Sequence, residues 1–108
     1  MYIAWYGKIV PSKIGGFAEW WTNKENLERV RNSMTEGMRF VGIYFVILQT
    51  DSHDVEMWYE MDNWEVLDRD RFNKKFDEIN NELYEKLGNF YEWRRMKVMR
   101  SPEDTIVD

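Results

Sequence analysis

The stretch VGIYFVILQTDSHDVEMWYEM, from Val41 to Met61, constrains the possible folds of this chain more than any other. Two apolar runs flank a short polar centre, which is the pattern of a β-hairpin. We predict one strand over residues 38–49, a turn over 50–54 and the next strand over 55–61. A strand covered on one side alternates apolar with polar residues, but the earlier strand carries apolar residues on both faces. We therefore predict that it is buried on both faces, with Phe40, Tyr44, Val46 and Leu48 on one face and Val41, Ile43, Phe45 and Ile47 on the other.

The segment before the hairpin predicts a strand and a helix. Residues 2–10 are rich in aromatic and β-branched side chains and stop at Pro11, which indicates a first strand. Ser12 then fits a helix N-cap, and apolar residues follow at near-helical spacing until Gly37, which fits a helix stop. The sequence TNKE at 22–25 also fits a capping box, so it allows a break in this helix.

The segment after the hairpin repeats this plan. Asp62 fits a helix cap, with a glutamate three residues later. Gly88 fits the end of that helix, and residues 90–99 predict the last strand. The helix has the strongest periodicity in the chain, with steps of three and four between Phe72, Phe76, Ile79, Leu83 and Leu87.

The order β-α-β-β-α-β predicts an α+β domain of the ferredoxin-like class over residues 1–100, followed by a polar C-terminal tail over 101–108. Right-handed crossovers place both helices on one face of a four-stranded antiparallel sheet, with the first and third strands in the centre. The other face of the sheet is left open. Because one subunit cannot cover an edge strand that is apolar on both sides, we expect a homodimer that packs through the open face.

Charge and composition exclude several classes of partner. The net charge of −5 disfavours nucleic acid and anionic membrane surfaces, since both require clustered cations. RNA-recognition modules share the predicted fold, but their third strand is basic and Gly-rich, whereas here it reads VEMWYEM. The chain has no Cys, and its first residues resemble neither a signal peptide nor a membrane span, so we expect a cytoplasmic protein.

Over residues 2–100 the chain resembles the dimeric α/β-barrel superfamily. The resemblance rests on the element order, the opening IAWYGKIVPSK, Gly37 before the second strand, and the passage VEMWYEMDNWEVL from third strand to helix. The superfamily includes small monooxygenases, haem-binding enzymes, isomerases and proteins with no known activity. The resemblance implies a dimer and a pocket between the sheet and the helices, and it implies no particular reaction.

Two carboxylates of the third strand, Glu56 and Glu60, are predicted on the same side as Trp58. At 3.4 Å per residue they lie roughly 13–14 Å apart, too far to act as a pair on one bond. Burying a bare carboxylate is costly, so each needs a cation, a pocket or solvent. Structural ion pairs at the sheet or dimer face and carboxylates in a cavity both remain open. The possible cationic partners are Lys8, Arg39, Arg94 and Arg95.

The single histidine, His53, lies in the predicted turn TDSHD, and we expect it to be solvated. Haem-binding members of the superfamily use a histidine from an element that lines the pocket, so a turn histidine argues against haem. Asp51, His53 and Asp54 could bind a metal ion, but three such side chains within one short turn are weak evidence for a metal site. We therefore predict neither a metal nor another cofactor.

Aromatic side chains are the best candidates for a ligand pocket, although they serve equally well as core. Trp20 and Trp21 diverge by about 100° on a helix, so at most one points squarely at the sheet. Phe17 lies on the same helix, and Trp5 or Trp58 would face it from the sheet. The predicted ligand-binding residues are Trp5, Phe17, Trp20, Trp58, Glu60 and Arg94, and no catalytic residue is assigned.

Two functions from different classes follow from these features. The first is binding of a small apolar ligand between helices and sheet, with cofactor-independent oxygenase- or isomerase-like chemistry if the protein is an enzyme. The second is a structural or regulatory homo-oligomeric interaction domain without catalysis. A cavity beside Trp58 and Glu60 would favour the first function. A closed core, with Glu56 and Glu60 paired to arginines across a dimer, would favour the second.

Overall fold

The computed structural model describes residues 1–47, 52–70 and 73–101, and its elements follow the predicted order. Each of the two predicted helices is divided into two. In chain order the elements are β1 (Tyr2–Ile9), a short 3₁₀ turn (Pro11–Lys13), α1 (Ile14–Thr22), α2 (Lys24–Asn32), β2 (Met38–Phe45), β3 (Val55–Met61), α3 (Trp64–Asp70), α4 (Lys74–Leu87) and β4 (Tyr91–Met99).

The four strands form one antiparallel sheet in the order β2-β3-β1-β4. This order places the first and third strands in the centre, as the sequence predicted. Successive side chains of a strand point to opposite faces. On β1 and β3 the odd-numbered side chains, including Ile3, Tyr59 and Met61, join a single core with buried residues of all four helices, such as Phe17 and Val66. The even-numbered side chains occupy the other face, which we call the open face.

Asparagine side chains divide both helical segments. Asn23 has an extended backbone, and its side-chain oxygen accepts the N–H of Asn26 at 3.1 Å, so α2 starts anew after α1. The break that the sequence allowed at residues 22–25 is therefore confirmed. Asn73 caps α4 in the same way, by accepting the N–H of Phe76 at 3.1 Å. Such caps satisfy backbone donors that a helix leaves unpaired at its first turn.

The helix starts and one helix end differ from the predictions. Ser12 lies in the 3₁₀ turn, where no side chain caps the backbone, so the predicted N-cap is wrong. Asn63, not Asp62, accepts the N–H of Glu65 at the start of α3. The first helical segment ends at Asn32 and not near Gly37, although Gly88 ends α4 as predicted, with φ +72°. Neighbouring polar side chains compete for each cap, and their spacing in sequence does not decide which one has the required geometry.

A β-bulge at Val41 changes the predicted faces of β2. Phe40 pairs with Tyr59 and Gly42 pairs with Trp58, so Val41 is left without a partner across the ladder. An extra residue of this kind reverses the alternation of the side chains that follow it. Phe40 therefore shares the helix-covered face with Ile43 and Phe45, and Tyr44 lies on the open face. The prediction that joined Phe40 to Tyr44 is wrong for this reason.

The apolar side chains of β2 are not buried on both sides within a single chain. Val41 is 43% exposed and Tyr44 is 51% exposed. The strand also ends at Phe45, earlier than predicted, and the last two residues of the predicted strand lie outside the described residues. Burial of this strand on both faces would require a second chain, so it stays a prediction.

One hydrophobic core holds the described part of residues 1–100 together. The predicted tail over 101–108 lies outside the described residues except for Ser101. In the described ranges no helix is long and apolar enough to cross a lipid bilayer.

Replacing Gly37 by Ala should destabilise the protein. Gly37 has φ +88°, and an added Cβ would lie 2.8 Å from Val66 Cγ2 and 3.3 Å from Asp62 Oδ2. Left-handed backbone strain costs about 1–3 kcal/mol, and the contacts with α3 add to it. We expect the free energy of unfolding, measured by urea titration, to fall by at least about 1 kcal/mol.

Gly15→Ala is the matched control. Gly15 lies in α1, and a Cβ added there meets nothing within 4 Å. Ala is favoured over Gly in a helix by about 0.5–1 kcal/mol, so this variant should be more stable than the parent protein. Equal stability of the two variants would contradict the described backbone at Gly37.

Candidate functional site

A cavity of about 250 Å³ lies between the helices and the covered face of the sheet. Its walls are mainly aromatic, and they come from both central strands, β4, α1 and α4. The aromatic side chains that line it include Trp5, Phe17, Trp21, Tyr59, Phe90 and Tyr91. The alternation of side chains along a strand explains why the sheet contributes to the walls. Trp5 pairs with Met57, and both side chains point towards the helices.

The tyrosines of the cavity are kept neutral by their surroundings. Burial raises the pKa of Tyr59 far above its ordinary value, and the nearby Tyr91 and Asp70 add to this effect. Burial likewise raises the pKa of Tyr91, although Arg94 works in the opposite direction. A hydroxyl that stays protonated can donate or accept a hydrogen bond. Both tyrosines are therefore suited to orienting a ligand rather than to removing a proton.

Four polar side chains line the same cavity: Asp70, Asp77, Asn80 and Arg94. Asp70 is already engaged, because its Oδ1 accepts from Thr35 Oγ1 at 2.8 Å and lies 3.3 Å from Asn73 Nδ2. The guanidinium of Arg94 lies over the rings of Trp5 and Tyr91, with its central carbon 5.5 and 5.8 Å from their centroids. Arg94 and Asp77 are exposed residues, so the polar groups mark the mouth of the cavity.

Trp21 contributes an unsatisfied hydrogen-bond donor. Its indole Nε1 is buried, and it is the one buried side-chain polar atom without a partner in the described part of the chain. Buried polar groups are almost always paired, so an orphaned donor requires an explanation. Trp21 lines the cavity, but its Nε1 is almost fully covered, so a molecule in the cavity would reach this donor only if the ring turned.

The structure divides the predicted ligand-binding residues into two groups. Trp5, Phe17 and Arg94 line the cavity together. Trp20 does not line it, and the neighbouring Trp21 does, although both side chains are only 4% exposed. Their divergence on a helix was foreseen, but helical spacing alone could not decide which of the two rings faces the cavity.

The remaining two candidates, Trp58 and Glu60, lie on the opposite face of the sheet. Trp58 pairs with Ala4, one position away from the pairing of Trp5 with Met57. The two tryptophans therefore point to opposite sides. Placing Trp58 and Glu60 beside the helix-covered pocket was wrong, because a change of one residue along a strand reverses the face.

Glu60 forms an ion pair on the open face. Its Oε1 lies 2.7 Å from Nη2 of Arg39 and accepts from Arg39 Nε at 2.9 Å, while Arg39 Nη2 also reaches Asp62 Oδ1 at 3.0 Å. The hydrogen bond from Arg39 lowers the pKa of Glu60. Arg39 was among the predicted partners, and it belongs to the neighbouring strand of the same chain. Since the pair is solvent-exposed, it contributes little to stability by itself.

Glu56 is held by different partners. Trp58 Nε1 donates to Glu56 Oε1 at 2.8 Å, and Nε2 of His53 lies 2.8 Å from Oε2. Burial alone would raise the pKa of Glu56, but the hydrogen bonds from Trp58 and His53 outweigh it, and the pKa lies below its ordinary value. Among the described residues no arginine contacts Glu56, so an arginine partner for this residue stays a prediction that concerns a second copy.

His53 is not the solvated turn residue that the sequence indicated. Its side chain is 12% exposed, and its ring stands edge-on to Tyr6 with centroids 5.3 Å apart. The path of the turn brings it back over the open face, which a turn sequence alone does not specify. Asp54, another of the three possible metal ligands, instead accepts the N–H of Ile9 at 2.9 Å. Asp51 lies outside the described residues, which contain no cluster of three metal-binding side chains.

A shallow groove of about 500 Å³ lies on the open face at the end of β2. It is lined in part by Tyr44, Phe45, Glu56 and Trp58. Cations occupy the far side of the same face, where Arg95 lies over the ring of Trp93 and Lys97 lies over that of Tyr6. The open face therefore combines exposed aromatic surface with carboxylates on β3 and cations on β4.

Comparisons with known proteins support the fold. No protein-family model and no curated protein matches this chain. A solved structure from Agrobacterium tumefaciens is similar to it with a TM-score of 0.68 and 14% identity, over 92% of this chain and 90% of that one. An uncharacterized NIPSNAP domain protein from Burkholderia xenovorans matches with a TM-score of 0.62 and 12% identity, over 100% of both chains.

A third structure, from Bacteroides fragilis, is described as a dimeric protein of unknown function with a ferredoxin-like fold. It matches with a TM-score of 0.59 and 10% identity, over 89% of this chain and 90% of that one. At such identities similarity shows the fold alone. These neighbours confirm the ferredoxin-like resemblance that the sequence indicated.

Proposed function

We propose that this protein is a homodimeric domain that binds a small, largely apolar ligand in the cavity between its helices and its sheet. The observation that carries the proposal is the cavity of about 250 Å³ in a core that is otherwise closely packed. A cavity of roughly 150 Å³ admits benzene, and sites for drug-sized molecules begin at about 300 Å³. The expected ligand is therefore about the size of one substituted ring.

The lining of the cavity supports a binding role. Ligand sites combine apolar and aromatic walls with a few polar groups that orient the bound molecule. Trp21 belongs to the aromatic wall, and its buried Nε1 has no acceptor in the described part of the chain. Arg94 and Asn80 offer polar contacts at the mouth. Leaving a buried donor without an acceptor costs about 1–3 kcal/mol, and a core with only a structural role gains nothing in return.

The lining also limits the chemistry that we propose if the protein is an enzyme. Asp70 and Asp77 can accept a proton, whereas the neutral hydroxyl of Tyr59 can donate a hydrogen bond to a developing oxyanion. Abstraction of a proton next to a carbonyl needs these two elements. Both isomerases and cofactor-independent oxygenases can begin with this step. Such a reaction is a prediction that follows from the binding role.

The open face supports the proposed homodimer. Val41 and Tyr44 expose apolar and aromatic surface there, and a second sheet packed face to face would cover it. Opposite charges on β3 and β4 suit a self-complementary surface, because a two-fold axis brings different strands of the same face together. The Bacteroides fragilis neighbour is described as dimeric. Dimers of this kind would leave the cavity free, because it lies on the other side of the sheet.

A homo-oligomeric interaction domain without a ligand is the second candidate function. The observation that favours it is the Glu60–Arg39 ion pair, because it shows one of the open-face carboxylates in a structural role. This function requires the open face and does not require the cavity. The two candidates therefore differ in whether the cavity accepts a molecule, and a variant that fills the cavity separates them.

Asn80→Trp should abolish binding of a neutral apolar probe. Asn80 lines the cavity, so an indole at this position occupies the space of the ligand. We expect toluene, monitored by ligand-observed NMR, to bind the parent protein and to bind this variant at least about tenfold more weakly. Asn81→Trp is the matched control, because Asn81 is the next residue of α4 and is exposed outside the cavity. If neither toluene nor any other single-ring probe binds the parent protein, the ligand-binding proposal is refuted and the second candidate is favoured.

Tyr44→Glu should convert the dimer into a monomer. Tyr44 is exposed on the open face, so in the proposed dimer a carboxylate at this position would be buried against apolar surface, which is strongly unfavourable. Native mass spectrometry of the freshly purified protein should give a dimer for the parent and a monomer for the variant, and it would also reveal any retained small molecule. Trp64→Glu is the control, since Trp64 is equally exposed, at 53%, but lies on α3. A monomeric parent protein would overturn the proposed dimer.

A further inference from the structure

We propose that the ligand of the cavity is a zwitterion with a single aromatic ring, which is the chemistry of an aromatic α-amino acid or a close analogue. The inference rests on the proposed function, since it assigns the ligand class of the same cavity. It follows from one positive and one negative side chain at the mouth of the cavity, neither of which has an ionic partner among the described residues.

The positive charge at the mouth is Arg94. Within the described residues it has no carboxylate partner, and its guanidinium lies over the ring faces of Trp5 and Tyr91. Contacts of this kind with ring faces do not use the N–H donors of the guanidinium. A planar fork of this kind binds a carboxylate through two parallel hydrogen bonds. Arg94 is therefore suited to a ligand carboxylate.

The negative charge at the mouth is Asp77. It lies in the first turn of α4, lines the cavity, and has no cationic partner among the described residues. Asp70, the other lining carboxylate, is occupied by Thr35 and Asn73. Asp77 is thus the carboxylate that can accept a ligand ammonium. Asn80 lies three residues further on the same helix face and can accept or donate a further hydrogen bond.

Arg94 and Asp77 do not form an ion pair with each other, although both line one small cavity. A simple acid would satisfy Arg94 but would bring its negative charge towards Asp77. A simple amine would satisfy Asp77 but would approach the guanidinium. A ligand that carries both groups on one carbon satisfies both residues, and like-charge contacts are avoided.

The interior of the cavity accounts for the rest of the ligand. Its walls are aromatic rings, which favour the face or edge of another ring. The volume of about 250 Å³ leaves room for one ring beyond the mouth, not for a polycyclic body. A phenyl or hydroxyphenyl group on the α-carbon of the zwitterion fits this space.

Four probes that share one phenyl ring test the proposal by isothermal titration calorimetry at pH 7. Phenylalanine carries both charges, 3-phenylpropanoate lacks the ammonium, phenethylamine lacks the carboxylate, and toluene carries the ring alone. We expect phenylalanine to bind at least about tenfold more tightly than any other probe, because two charge-assisted hydrogen-bonded contacts form only with it.

Variants of the mouth should remove the two contributions separately. Arg94→Gln should lower the affinity for phenylalanine to about that for phenethylamine, and Asp77→Asn should lower it to about that for 3-phenylpropanoate. Each substitution should lower the affinity for phenylalanine by a far larger factor than it changes the affinity for toluene. Arg95→Gln and Glu78→Gln are the matched controls. They remove the same charges from the next residues of the same elements, outside the cavity, and should bind phenylalanine as the parent protein does.

Three outcomes would overturn the inference, and they can be told apart. If toluene binds as tightly as phenylalanine, the cavity holds an apolar ligand and the zwitterion is wrong. If 3-phenylpropanoate or phenethylamine binds as tightly as phenylalanine, only one of the two charges is recognised and the ligand class is wrong. If no probe binds, toluene included, the proposed function of the cavity fails together with the inference.

Discussion

Alternation of side chains along the two central strands is the constraint on which the rest of the structure depends. On β1 and β3 each odd-numbered side chain faces the helices, and each even-numbered one faces away. Trp5 and Tyr59 therefore enter the cavity, whereas Trp58 and Glu56 reach the open face. A shift of either strand by one residue would exchange the two faces, so the register decides which side chains each face receives. The cavity and the open face are thus separate features of one sheet.

The edge strands use bulges to adapt to this fixed centre. The bulge at Val41 places Tyr44 on the open face and keeps Phe45 on the helix side. A second irregularity, opposite Lys8 and Ile9, sets the register of β4. Arg94 consequently lines the cavity, and its neighbour Arg95 lies on the open face. Two adjacent arginines of one strand therefore lie on opposite faces of the sheet.

The polar side chains also divide between the two faces of the sheet. On the open face, the carboxylate of Glu56 is satisfied by His53 and Trp58, and that of Glu60 by Arg39. These pairs fix the positions of the two carboxylates on an exposed apolar and aromatic surface, and such a surface favours association with another copy. On the covered face, Trp21 retains an unsatisfied donor, and Arg94 and Asp77 lack ionic partners within the described residues. These three side chains line one cavity, so a molecule bound there would lie close to all of them.

The sequence by itself determined the element order, the central position of β1 and β3, and which side chains of β3 share a face. These follow from apolar periodicity and from the crossover rule, and both act on neighbours along the chain. Sequence also indicated Trp5, Phe17, Arg94 and the partner Arg39. Only the tertiary structure decided that Asn63 caps α3, that Val41 is bulged, that His53 folds back onto Glu56 and that Trp21 rather than Trp20 lines a cavity. Each of these depends on atoms that are distant in sequence or on a small difference between neighbouring candidates, and a cavity depends on how all the surrounding side chains fill space together.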